Sequence, residues 1–304
     1  MPSALARIRT VFVVAHFDFF ESIRSRKAVA LLAIYLLGAT AGTALFTRVL
    51  AGVEATVAGE LGRPPEGTGA LADAVLESES FRQVVVWLVG DEAVAGVVTS
   101  MPPLAMFYGW MSLTFVPLFA VLFSCDAISS ELASGSVRFA LLRVDRLSWA
   151  IGKLGAQGLL MAAGLLASAA VVFLLGALWL DRFAAAENGL WLARLATRSW
   201  AYGFAYLGLA TAVSQIRRTP SGAHALGLVS LAVVSAVGSF LGGEFASERW
   251  PGVAPALFEL FPAAHALDLW RPDAADRLGA ISILLAIGVG YFALGHMFFS
   301  RRDA

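Results

Sequence analysis

The sequence predicts an all-α membrane protein with six transmembrane helices, an amphipathic interfacial helix ahead of them, and both termini in the cytoplasm. Three observations predict it. Of 304 residues, 59% are hydrophobic and only 14% charged, where a soluble globular chain is nearer a quarter charged. The mean hydropathy is +0.76. Six apolar runs reach the roughly 20 residues that a bilayer core requires, and basic residues cluster in alternate segments between them.

Residues 1–27 form the first unit. Leu5, Ile8, Phe12, Ala15, Phe19 and Ile23 recur every three or four positions, which marks one face of a helix. Arg7, Arg9, His16, Glu21 and Arg24 are left for the wet side. Such a helix lies along a membrane surface; a plain lipid anchor and a mechanical role are both open to it. No cleavable signal peptide is expected, because His16 and Asp18 break the apolar stretch Val11–Phe20.

The remainder, 28–304, is one transmembrane domain. Its apolar runs are 28–47, 103–125, 152–180, 197–216, 224–243 and 279–299. Pro117 inside the second predicts a kink. The third is long enough to tilt or to project from the bilayer. Loop 48–102 is the longest outer segment. It holds a turn over 60–69, a capping box at Ser80–Gln83 before VVVWLVG, and a second short helix after Asp91. That is more structure than a connector needs, and it suits either an exit lid or passive packing on the spans.

Residues 244–278 include the apolar stretch 253–270. Glu259, His265 and Asp268 argue against a seventh span, since an Asp at the bilayer centre costs about 2–3 kcal/mol, and Pro262 would break it. A helical hairpin on the outer face is expected, flanked by Trp250 and Trp270 at the interface.

Orientation follows from the basic residues. Arg7, Arg9, Arg24, Arg26 and Lys27 precede the first run, Arg138, Arg143, Arg146 and Lys153 follow the second, Arg217 and Arg218 follow the fourth, and Arg301 and Arg302 follow the sixth. The positive-inside rule places these segments in the cytoplasm.

Several chemistries find no residues. There is no G-x-x-x-x-G-K-[ST], so no P-loop binds ATP here. His16, His224, His265 and His296 are scattered and form no metal-ligand spacing. No G-x-S-x-G elbow exists. Formal net charge is zero, so no bulk attraction to nucleic acid is implied. The single cysteine, Cys125, precludes a disulfide within the chain and reads as a small hydrophobe. The interiors of all spans but the fourth lack Asp, Glu, Lys and Arg, which argues against an ion-coupled carrier and an intramembrane enzyme. Energy for any transport must come from elsewhere.

One segment stands out. Residues 126–153 form a charged island between two apolar runs. Val137, Leu141 and Val144 recur at helical spacing, while Glu131, Arg138 and Arg146 offer charge to a soluble partner. A simple positive-inside anchor needs only the basic residues. The order Asp126, Glu131, Gly135-Ser136, Leu141-Leu142, Arg146, Gly152-Lys153 resembles the cytoplasmic segment of ABC-2-type transporter permeases, the membrane subunits of a class of ABC exporters. Glu21 and Arg24-Ser25-Arg26 are similar to the N-terminal helix of that family. Val144-Asp145 stands where the family carries a proline, and the segment is one residue shorter.

The resemblance implies the following. The permease binds no cofactor and is not an enzyme by itself. ATP and Mg belong to a separate ATP-binding subunit, present in two copies. A second copy of the permease pairs with it, a homodimer, within the bacterial cytoplasmic (inner) membrane, among membrane lipid and without nucleic acid. Glu131, Gly135, Arg138, Leu141, Leu142 and Arg146, with Glu21 and Arg24, would couple to the ATPase. Spans 2 and 5 commonly line the path in this family. Phe107, Tyr108, Trp110, Met111, Phe115 and Phe119, with Ser230, Ser235 and Ser239, would face a hydrophobic or amphiphilic substrate, or else only lipid. Gly38 and Gly42, and Gly238 and Gly242, are spaced for close helix packing, between copies or within one. A membrane scaffold or maturation factor without an ATPase is the rival reading. A membrane-embedded transferase would need an acid or histidine cluster at one depth, and the sequence has none.

Overall fold

The computed structural model describes residues 4–60 and 78–301. The turn expected over 60–69 lies outside them except for Glu60. Every element among the described residues is a helix or a helical turn, as the all-α reading expects. In chain order they are α1 (Ala4–Arg24), α2 (Arg26–Glu60), α3 (Glu79–Val89), α4 (Glu92–Thr99), α5 (Pro103–Ser124), α6 (Ser129–Ser134), α7 (Val137–Leu141), α8 (Arg146–Trp179), α9 (Ala185–Ile216), α10 (Pro220–Leu241), α11 (Glu244–Arg249), α12 (Val253–Phe258) and α13 (Ala274–Ser300). Two 3-10 turns, Pro262–His265 and Asp268–Trp270, separate α12 from α13.

Among the described residues, five helices are long and apolar enough to cross a membrane: those carrying runs 1, 2, 3, 5 and 6. The fourth run lies in α9, which falls outside that class. The packing explains why. α9 is the central helix, bordered by α5, α8, α10 and α13, and a helix that meets protein on most sides does not need lipid-soluble side chains. It uses small residues instead. A Cβ at Gly208 would overlap the carbonyl oxygen of Gly288, and one at Gly295 would overlap the Ala212 backbone. Such residues let helix backbones approach closely.

α2 is the opposite case and lies at the periphery. At 1.5 Å per residue its 35 residues extend about 52 Å, well beyond a bilayer core of about 30 Å. The first part of the expected outer loop is therefore helix. α5 continues as helix through Pro117.

The cap of α3 lies two residues before the expected capping box. Ser78 is the cap, and its hydroxyl accepts the Phe81 N–H at 3.2 Å. Gly90 then ends α3 at φ +73°, a left-handed conformation open to glycine at little cost. Asp91 caps α4, accepting from Ala93 and Val94. Arg271 reaches Asp268 at 3.0 Å and also approaches Asp91 and Asp276. The expected hairpin over 244–278 is thus two short helices and two 3-10 turns, tied to α4 and α13. His265 is buried there and bonds the Glu259 carbonyl at 2.9 Å.

Candidate functional site: a charged junction at the basic end

The island of residues 126–145 is a compact helical knot. α5 stops at Ser124, and the turn after it is pinned to α9. The Ser214 hydroxyl accepts the backbone N–H groups of Ile128 and Ser129 at 2.9 and 3.0 Å. Gly135, at φ +75°, ends α6 and reverses the chain into α7. Asp145 then caps α8, accepting from the Ser148 N–H at 3.0 Å and its hydroxyl at 2.8 Å. The Ser148 N–H holds the Asp145 carboxyl below its ordinary pKa, because that bond favours the charged form.

The helical spacing of Val137, Leu141 and Val144 marks the inward face. Val137 is buried, and Leu141 and Val144 pack against the core. The apolar residues left outside are Phe139 and Leu142, 75% and 82% exposed, beside exposed Arg138 and Arg143.

The charges at the knot are largely engaged within the chain. Lys153, on α8, makes ion pairs with Asp18 of α1 and Glu131 of α6. Lys153 and Asp18 are both buried. Gln157 donates to Asp18 at 3.4 Å, and the Lys153 ammonium lies 5.7 Å from the Trp149 ring centre. One lysine thus joins α8 to α6 and to α1, which is remote in sequence. Gly152 permits it, since a Cβ there would sit 2.6 Å from Val14. The glycine lets α1 lie on α8, and the adjacent lysine ties the two together.

A second ion pair, Lys27 to Asp126, lies alongside, and Lys27 also meets the His224 ring nitrogen at 3.1 Å. Both pairs border a depression of about 240 Å³ that includes Glu21, Ser130 and Gln157.

The other coupling candidates are divided. Arg146 donates to the carbonyls of Phe299 and Ser300 at 3.2 and 3.0 Å, capping α13 where a cation complements the helix dipole. Glu21 and Arg24 are exposed on α1. The stripe Leu5, Ile8 and Phe12 is also exposed, while Val14, Ala15 and Asp18 meet α8. Asp18 was missed as a site residue. Its only signal in sequence was its position three after Ala15, on the packed side of an amphipathic helix.

The aromatic candidates come together in one apolar groove of about 240 Å³. Phe107, Tyr108, Met111, Phe115 and Phe119 of α5 line it with Tyr35 and Gly38 of α2, and with Ser168 of α8. Its walls are spans 1, 2 and 3, not spans 2 and 5. Ser230, Ser235 and Ser239 do not line it, and Trp110 is exposed elsewhere. Gly42 meets Phe107 and Met111, Gly238 meets Phe261 and Ala263, and Gly242 meets Phe258, all within this chain. Gly38 opens on the groove.

No curated protein matches the sequence. A family model described as ABC-2 family transporter protein matches residues 12–304. With an all-helical membrane bundle and the charged knot in place, the chain belongs to the ABC-2 transporter family.

Proposed function

We propose that the chain is the permease of an ATP-driven exporter that moves a hydrophobic or amphiphilic substrate outward across a bacterial cytoplasmic membrane. The family makes it a membrane subunit of an ABC transporter, working with ABC ATP-binding subunits. Two copies would pair with two such subunits, which bind ATP and Mg.

The observation that carries the reading is the knot itself. Phe139 and Leu142 project from a unit that is otherwise packed and capped. Exposed apolar side chains ringed by arginines suit a protein partner. Movement of α6 and α7 would pull on Glu131, and Lys153 would carry it to α1 and α8. Surface ion pairs contribute about 0–1 kcal/mol each, so Phe139 and Leu142 supply most of the docking affinity, with Arg138 and Arg143 setting register. The aromatic groove gives an uncharged solute a place to pack beside α2.

The test is affinity purification of the tagged chain from its host in mild detergent, with ATP or vanadate present. A stoichiometric P-loop ATPase is expected with the wild type. It is lost from Phe139→Ser with Leu142→Ser, while Glu131→Ala with Arg138→Ala weakens it less. Absence of any ATPase from the wild type overturns the exporter and favours a scaffold.

A further inference from the structure

Away from the knot, near the middle of α9, Arg198 is only 8% exposed. Its Nη1 has no hydrogen-bond partner among the described residues. The charged neighbours that act on it are Arg277, in the first turn of α13, and Arg194, one turn back on α9. Both are cations. The Trp191 ring lies 5.9 Å from the Arg198 guanidinium and 5.6 Å from that of Arg194. The Arg277 Nη1 is fixed by the carbonyls of Arg271 and Pro272 at 2.7 and 2.6 Å.

This arrangement is incomplete as it stands. An arginine stays protonated in proteins. A buried charge needs a counter-charge and satisfied donors. The Trp191 face offsets a little of the cost, but three like charges raise it. The Lys153 junction shows the usual solution, a buried cation held by two carboxylates. The Arg198 Nη1, by contrast, meets no acceptor among the described residues.

We propose that Arg198, with Arg194 and Arg277, forms a binding site for a phosphate-class oxyanion. A guanidinium presents paired N–H donors that match two oxygens of such a group. Arg198 is the anchor. Arg194, which is exposed, admits the anion from the surface, and the Trp191 ring lies beside the guanidiniums of the two α9 arginines. The anion is either the phosphate of a lipid headgroup or a free oxyanion such as inorganic phosphate. The site is separate from the groove and from the ATPase surface, so it does not depend on the exporter reading.

The experiment uses the full chain, delipidated in detergent, with three probes: phosphatidylglycerol, phosphatidylcholine and inorganic phosphate. Native mass spectrometry and the unfolding midpoint are read for wild type, Arg198→Gln and Arg277→Gln. Wild type retains phosphatidylglycerol or phosphate, and its midpoint rises with the ligand. Arg198→Gln binds about tenfold more weakly, the loss of a charge-assisted hydrogen bond. Without ligand, Arg198→Gln is at least as stable as wild type, a sign that a purely structural arginine would not give. Displacement of bound phosphatidylglycerol by phosphate identifies a free oxyanion; retention of the lipid at high phosphate identifies the headgroup. Arg277→Gln, at a half-exposed position, weakens binding to a smaller extent and serves if Arg198→Gln does not fold. Equal response of wild type and these variants to every probe, phosphatidylcholine included, overturns the site.

Discussion

Lys153 has two carboxylates for partners and nearly no solvent. Lys153→Met therefore leaves Asp18 buried without a counter-charge and costs about 3–5 kcal/mol. Asp18→Asn keeps the Lys153–Glu131 pair and costs less. Unfolding midpoints in detergent for the two variants check the order. Asp145 gives a smaller effect with a pH signature. Its carboxyl is held below the ordinary value of 3.8 by the cap. The stabilisation is present above that value and is lost as pH falls through the depressed one. Asp145→Ala should cost about 1 kcal/mol at pH 7, with wild type and variant converging once the pH has fallen through the depressed value; a difference that persists there contradicts the cap. Glu131 and Arg146 were legible in sequence as charges in an apolar chain. Their partners were not. Asp18 lies 135 positions from Lys153, and no local pattern reports a contact at that separation. Arg146 caps α13 for the same reason, unforeseen from its own neighbourhood.

The knot shows what periodicity does and does not determine. The spacing of Val137, Leu141 and Val144 was readable, but whether that face met the core or a partner was set by the packing of α6 and α7 on α8 and α9. Phe139 and Leu142, on either side of the partly buried Ala140 and Leu141, emerged as the outer pair. Because they touch little, Phe139→Ser with Leu142→Ser should leave the unfolding midpoint of the isolated chain nearly unchanged, a surface effect within about 0.5 kcal/mol per site. A marked loss of stability would mean that they pack inward. The α9–α13 interface behaves oppositely. Gly208→Val drives a branched side chain into the Gly288 backbone. The helices must separate, and the expected loss exceeds the typical 1–3 kcal/mol of overpacking. Trypsin resistance of the detergent-solubilised variant reads this directly; wild-type resistance would refute the close approach.

At the scale of the whole molecule, membrane character was plain from composition, and five spans were plain from length and apolarity. The amphipathic start was equally visible, though the side of α1 that meets α8 was not. We expect six crossings with both termini inside. Ser136 and Ser247 are exposed at opposite ends, and the native Cys125 is fully buried, so it should give little background labelling. Ser247→Cys should react with an impermeant maleimide on intact cells, and Ser136→Cys only after permeabilisation. The reverse pattern would invert the protein. The groove was the least legible part. Five of the α5 candidates line it together, but spans 1 and 3 close around them because Gly42 and Gly164 accept the Phe107 and Phe119 rings, and that is geometry no hydropathy profile contains.

The modest apolarity of α9 has a consequence for how the chain is made. A segment that carries Arg194 and Arg198 and falls short of ordinary span hydropathy partitions poorly from the insertion machinery into lipid alone. α5 and α8 are synthesised before it and can receive it, but α13 starts only at Ala274. At about 5–20 residues per second the ribosome needs several seconds to deliver that last neighbour. During that interval one flank of α9, which carries Ala205, Gly208 and Ala212, is uncovered and open to lipid, chaperone or protease. Chains truncated before Ala274 should therefore be cleared from the membrane quickly, and slow translation across residues 217–273 should lower the yield of finished protein without altering its sequence.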